Sequence, residues 1–328
     1  MSFDQPPILI VSTGRCGSTL LSNLLRDHPD VLSLSEFWPN RLNLPELFST
    51  RPMSGSDYWD LLSVPMADDI FKIASDGRIS QVPKRTLHER NYMRRIALPS
   101  LVQDYESLFH EIADFMRARE TAIPADHVKA MFGFIAQSLG RKVWVERTGA
   151  SIEYLPLWRT MWPDMKIIHM YRDGRNVALS MSKHHAFRLM IMRAEANPES
   201  SWLHIRPLPA DQVDLDAFYD REIPLSTFGG LWNRMVVEGL DELRHIPAAQ
   251  QHWMRYEDLL DAPQEVLTEM LAFIDPALPA ASWAKACADD LHPPRNDWRS
   301  IDPAARTALE EACRPGLQAL NYLEEAAE

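Results

Sequence analysis

ILIVSTGRCGSTLLSNLL, residues 8–25, is the stretch that decides the fold. ILIVS (8–12) reads as a short buried strand and STGRCG as a loop of small residues. Leu20, Leu21, Leu24 and Leu25 then mark the apolar face of a helix that starts near Ser18. A turn of this shape points several backbone N–H groups at one spot, and the helix adds the positive end of its dipole. Gly14 and Gly17 let the backbone approach a bound anion, Ser18 and Thr19 add hydroxyl donors, and Arg15 adds charge. The Walker pattern requires a lysine after its second glycine; Ser18 stands there instead, and no second strand offers a clear aspartate for magnesium. The loop therefore reads as a phosphate cradle that works without a metal. The competing reading is a Gly/Ser-rich turn with no ligand.

A second stretch, IIHMYRDGRNVALSMSKHH (167–185), repeats the logic. A strand ends in Arg172, Asp173 and Gly174 turn the chain, and a helix opens with Arg175 and Asn176. Ser180 falls eight residues after Arg172. An arginine at a strand end is a good two-pronged clamp for phosphate. Two anion sites, each after a strand, fit a ligand with two separated phosphate groups. Alternatively, Arg172 and Asp173 pair with surface neighbours. His184 and His185 close this helix, where they could meet the ligand or only complement the helix dipole.

The 328 residues suffice for one large α/β domain. A net charge of −12 disfavours nonspecific binding to nucleic acid or to an anionic membrane, so a polyanion must be met by local arginines. Three cysteines without paired spacing argue against a disulfide framework or a cysteine zinc site, and no long apolar run is present. A cytoplasmic protein without an anchor is expected, with no nucleic-acid or membrane partner; the oligomeric state stays open.

Strand signals recur at KVWVE (142–146), KIIHMY (166–171) and HWMRY (252–256). Helical spacing covers 99–119, 126–139, 151–161, 174–185, 226–245, 263–274 and 303–312, with Pro315 ending or kinking the last. The alternation predicts a P-loop-like three-layer α/β fold, a central parallel sheet flanked by helices. It reads as one domain spanning 1–328. Between 186 and 225 the pattern weakens around several prolines, while Trp202, Leu203, Ile205 and Phe218 give the segment apolar contacts to make. That segment reads as a lid or acceptor-binding insertion. The methionine-rich run LMIMR (189–193) would line an acceptor pocket or form lid core.

Taken together, the two anion motifs resemble the sulfotransferases that use 3′-phosphoadenosine 5′-phosphosulfate (PAPS). In that family the first loop holds the 5′-phosphosulfate, and a later arginine followed eight residues on by serine holds the 3′-phosphate. Arg15, Cys16, Gly17, Ser18 and Thr19 match the first motif, and Arg172 with Ser180 the second. RDHPDVLSLSEFW (26–38) is similar to the segment ending in the catalytic carboxylate of the tyrosylprotein-type and bacterial branches. The resemblance thus implies Glu36 as general base; from residue type alone it reads equally as a surface carboxylate or a salt-bridge partner. WVERTG (144–149) resembles a W-x-E-K-T-P segment, with Arg147 in place of the lysine that supports the transferring group and Gly149 in place of proline. MRYEDLL (254–260) resembles the family's R-Y-E-D-L segment and brings Tyr256 toward the nucleotide. The glycine-rich C-terminal loop of the steroid and phenol branch is absent; RNDWRS (295–300), with Trp298 or Arg299, stands as its substitute.

The resemblance implies an O-sulfotransferase with PAPS as donor substrate, no metal, and a hydroxyl acceptor in a carbohydrate, lipid, peptide or small metabolite. Two other classes remain: a P-loop kinase or nucleotidase on the same scaffold, lacking a visible lysine and magnesium carboxylate, and a noncatalytic nucleotide-binding protein.

Overall fold

The computed structural model describes residues 5–38, 44–76, 78, 84–198, 206–289, 291 and 297–323. Five strands form one parallel sheet: β1 (Ile8–Val11), β2 (Val31–Ser35), β3 (Val143–Arg147), β4 (Lys166–Tyr171) and β5 (Gln251–Arg255), in the order β2-β3-β1-β4-β5. β1 lies in the middle, with Leu9 beside both Glu146 of β3 and Ile167 of β4. Leu9, Ile10, Val11, Ile167 and Ile168 are wholly buried. This is the expected state of central parallel strands covered by helices on both faces, and it explains their unbroken apolar runs. The architecture is the P-loop-like α/β sandwich that the alternation of elements predicts.

The helices that position the site are α1 (Ser18–Arg26), α2 (Asp68–Ala74), α3 (Tyr105–Arg117), α4 (Pro124–Ser138), α5 (Leu155–Met161), α6 (Gly174–Ser182), α7 (His185–Ala196), α8 (Leu225–Leu243), α9 (Pro263–Ile274) and α10 (Pro303–Ala319). β2, which is not among the expected strands, is the VLSLS run just before Glu36. Its serines do not follow an apolar strand pattern, because Ser22 and Ser33 satisfy each other's hydroxyls inside the core at 2.8 Å. The expected helix at 99–119 is shorter: a π-helical turn at Met93–Ala97 and a 3-10 turn at Leu98–Ser100 precede α3.

Three other expectations are corrected. Pro315 does not end the last helix, since α10 continues to Ala319. The next amide, Gly316 N, donates to Asn233 Oδ1 at 2.7 Å, and a side chain at Gly316 would meet the Trp232 ring, so packing on α8 carries the helix through the proline. The helix after Arg172 stops at Ser182, and His184 caps a new one by accepting from Ala186 N at 3.2 Å. The segment from 186 is therefore helical to Ala196. Its apolar residues show no single face because two environments claim them. Leu189 packs in a small second core with Ile73, Val213 and Phe218, while Met190 faces a cavity. Trp202, Leu203 and Ile205 lie outside the described residues.

Candidate active site

The loops after β1, β2 and β3 each place one non-glycine residue in the left-handed region: Arg15 (φ 58°), Glu36 (φ 56°) and Ala150 (φ 57°). That conformation costs an ordinary residue roughly 1–2 kcal/mol. It persists only where the surroundings over-determine it, which is the habit of functional sites. All three residues line one cavity of about 670 Å³, at the C-terminal edge of the sheet where open α/β folds bind ligands.

Glu36 is held from two sides. The Arg147 guanidinium pairs with its carboxylate through Nη1, and Gly149 N donates to Oε2 at 3.2 Å. Arg147 is 3% exposed; its Nη2 donates to Ser35 Oγ at 2.8 Å, and its Nε is buried without a hydrogen-bond partner. The proline of the resembling segment would have no N–H to give, so Gly149 supplies a donor that position otherwise lacks. One residue back, Glu146 is fully buried in the sheet, and burial pushes its carboxyl up to about 8.

Arg15 Nε donates to Ser180 Oγ at 3.1 Å, joining the first anion motif to the second. Burial lowers the Arg15 pKa, and the like charges of Arg147 and Arg172 lower it further, opposed by Cys16 and Glu36. Three guanidiniums thus crowd one field. Arg172 is 9% exposed, its guanidinium carbon sits 4.4 Å from the centre of the Tyr256 ring, and its Nε is buried without a hydrogen-bond partner. Among the described residues no ion pair holds Arg172. Asp173 instead takes Arg175, at 2.9 Å, and caps α6. A buried cation left with spare donors suits an incoming phosphate.

Gly14 and Gly17 adopt positive φ (77° and 96°), as the turn requires. The space they leave is filled by aromatic rings: a Cβ at Gly14 would meet Phe187, and one at Gly17 would meet Tyr256. They serve the turn and these close contacts. Cys16 is wholly buried with its thiol pKa raised by burial, so only its backbone is available to a ligand. Ser18 and Thr19 line the cavity; Arg172, Ser180 and Tyr256 stand off its wall.

Trp298 is buried under Arg175 (4.0 Å from guanidinium carbon to ring centre), its N donates to Asn176 Oδ1 at 3.0 Å, and Arg299 pairs with Asp297. Both belong to a surface hollow with Arg306, Glu310 and Arg314, separate from the main cavity. Arg295 and Asn296, which open the same stretch, lie outside the described residues. His184 and His185 stack at 4.6 Å between ring centres and line the cavity. Burial, then in each case the charge of Arg15 among nearby groups, lowers them to about 2 and about 4, so both are neutral at pH 7. Sequence reasoning missed Asn23, Arg26, Ser35 and Tyr92 on the cavity wall. Ser35 is adjacent to Glu36, but nothing in the spacing of NYMRRIALPS marks the π-helical turn that brings Tyr92 in.

Among the described residues no cluster of His, Cys, Asp or Glu is placed to hold a metal ion, and no helix is long and apolar enough to cross a membrane.

The sulfotransferase family model matches residues 6–279. The chain belongs to the sulfotransferase family and is a sulfotransferase enzyme. Among solved structures it is similar to the sulfotransferase domain from the curacin biosynthetic pathway, at 14% identity over 97% of this chain and 99% of that one, with a TM-score of 0.51. The sulfotransferase domain of the Synechococcus PCC 7002 olefin synthase is 17% identical over 99% and 98% of the two chains, TM-score 0.48. A sulfotransferase from Mycobacterium avium is 14% identical over 98% and 77%, TM-score 0.46. No curated protein matches the chain.

Proposed function

We propose that this chain transfers a sulfuryl group from PAPS to a hydroxyl acceptor, with Glu36 as general base. The observation that carries the reading is the meeting of Arg15, Arg147 and Glu36 on one cavity wall, with Arg15 bonded to Ser180 of the second anion motif. The donor is a substrate that the residues present fit. Buried guanidiniums at Arg147 and Arg172 keep an Nε unpartnered, and Ser18 and Thr19 of the loop line the cavity. Arg172 and Ser180 would hold its 3′-phosphate; Arg15, Ser18 and Thr19 its 5′-phosphosulfate.

In the reaction, the acceptor oxygen forms a bond to sulfur as the bond from sulfur to the 5′-phosphate oxygen breaks. The electron pair leaves on that phosphate, releasing 3′,5′-bisphosphoadenosine, and the acceptor proton passes to Glu36. Arg15 and Arg147 stabilise the charge that grows on the leaving oxygen, in the way prearranged donors serve other loose transfers. Arg147 also orients the Glu36 carboxylate toward the acceptor. A single domain with 186–225 as its acceptor-binding insertion is part of this reading, supported by Leu189 and Met190 on the cavity wall.

The test is turnover of radiolabelled PAPS in the presence of a mixed panel of alcohols, phenols and sugars, beside ATP with magnesium. Label transfer from PAPS without magnesium supports the reading; phosphoryl transfer from ATP with magnesium, and none from PAPS, would replace it with the kinase.

A further inference from the structure

The cavity is two-sided. Its sheet side, from the loops after β1 to β3 and from α1, carries Arg15, Ser18, Thr19, Asn23, Glu36 and Arg147. The rest of its lining comes from α2 and the residues leading into it, the π-helical turn and α7, and there Met66, Ile70, Ala74, Ile96, Leu189 and Met190 form an apolar surface beside Tyr92 and His185.

On this side Arg193 and Ser100 are engaged and Arg95 keeps only its Nε unpartnered, while the Tyr92 hydroxyl and the His185 ring, which line the same cavity, make no hydrogen bond among the described residues. Arg95 donates to the carbonyl oxygens of Ala74, Leu87 and Glu89 and to Ser75 Oγ, at 2.7–3.3 Å. Arg193 is bound to buried Asp69 by two bonds of 2.6 and 2.8 Å, and Asp69 also accepts from Leu208 N at 2.7 Å. Ser100 Oγ donates to Ala97 O at 2.6 Å. Met66, Ile70, Ala74, Ile96, Leu189 and Met190 offer no hydrogen bond, so a sugar or peptide pressed against them would lose water from hydroxyls or amides without replacing it, whereas an apolar chain loses nothing there; the few polar groups beside them, Tyr92 and His185, suit a single hydroxyl rather than a polyol. The volume of about 670 Å³ is that of a small-molecule pocket rather than a polymer groove.

We infer that the acceptor is an alcohol with an apolar body, its hydroxyl at Glu36 and its hydrocarbon portion against Ile70, Ile96 and Met190. This rests on the sulfotransferase reading of the cavity and narrows its acceptor from four classes to lipid-like alcohols of modest size. The segment 186–225 contributes to this preference through Leu189 and Met190, while its Val213 and Phe218 pack with Ile73 of α2 and Leu189 of α7 in the second core.

The experiment is calorimetry on the full chain saturated with 3′,5′-bisphosphoadenosine, titrated with 1-butanol, 1-hexanol and 1-octanol, and with glucose and a tyrosine-containing peptide. Burying each added methylene is expected to lower Kd about three- to fourfold. Ile70→Asp and Met190→Asp are each expected to flatten that series, with the bisphosphate Kd kept within about twofold of wild type as proof that fold and donor site survive. Equal affinity for butanol and octanol, or tighter binding of glucose or the peptide than of octanol, overturns the inference. Failure of the bisphosphate itself to bind would instead sink the donor reading, and the alcohol series on the free protein would still report on the apolar wall.

Discussion

Arg15 and Ser180, 165 residues apart in the chain, are joined by a hydrogen bond of 3.1 Å from Nε to Oγ. One residue belongs to the loop after β1 and the other to the helix after β4, so the bond fixes the spacing of two anion motifs that the sequence presents separately. Ser180→Ala removes this tether and, on the proposed mechanism, a hydrogen bond to the donor's 3′-phosphate. Loss of one such bond to a charged group is worth about 1.5–3 kcal/mol, so the Kd for 3′,5′-bisphosphoadenosine should rise by about tenfold or more in calorimetry. An unchanged Kd would separate Ser180 from the donor site.

Glu36→Gln keeps the shape of the carboxylate but cannot take a proton. Turnover with PAPS should fall by about 10²–10⁴-fold, while bisphosphate affinity stays near wild type. A variant that retains most of its turnover would leave Glu36 as the salt-bridge partner of Arg147 and nothing more.

Gly149 offers a sharper test of how Glu36 is held. Gly149→Ala preserves the amide, and its Cβ would rest 3.4 Å from Glu36 Oε1, a contact the carboxylate can accommodate with little movement. Gly149→Pro deletes the N–H that donates to Oε2. Steady-state kinetics should show the proline variant losing kcat by about tenfold or more and the alanine variant far less, since a hydrogen bond to a charged group is at stake only in the first. Equal loss in both would mean that space, not the amide, matters there.

Glu146 makes stability depend on pH. Its carboxyl is raised from 4.5 to about 8 by burial, so between those values the folded state holds a proton that the unfolded state has released. Its contribution to stability is fully present below about pH 4.5 and is lost as pH rises through 8. Urea denaturation of Glu146→Gln should therefore show a flatter fall in stability from about pH 5 to 8 than wild type. Parallel slopes would contradict the assignment.

Most of the sheet was legible because parallel strands buried on two faces read as apolar runs, and the turns after β1 and β4 were legible because the residues around Gly17 and Asp173 are chemically distinctive. β2 was not, since Ser33 and Ser35 break the apolar pattern for reasons that only their partners Ser22 and Arg147 explain. Pro315 fails to end its helix for a similar cause: α8 supplies the Asn233 side-chain oxygen Oδ1 and a Trp232 ring that no local rule foresees. Glu36 could be singled out only by resemblance. Its pairing with Arg147 is long-range, and the left-handed backbone that turns it into the cavity leaves no mark in its residue type. Tyr92 and Ile96 were hidden because a π-helical turn with no spacing signal brings them to the cavity.

On the proposed mechanism the donor carries two separated phosphate groups, one of them held by Arg172. Calorimetric titration with 3′,5′-bisphosphoadenosine, beside ATP and ADP with and without magnesium, tests it most directly. Binding of the bisphosphate should ignore magnesium, exceed that of ATP and ADP, and weaken at least about tenfold in Arg172→Ala. Preference for ATP with magnesium, or a bisphosphate affinity indifferent to Arg172→Ala, would contradict it.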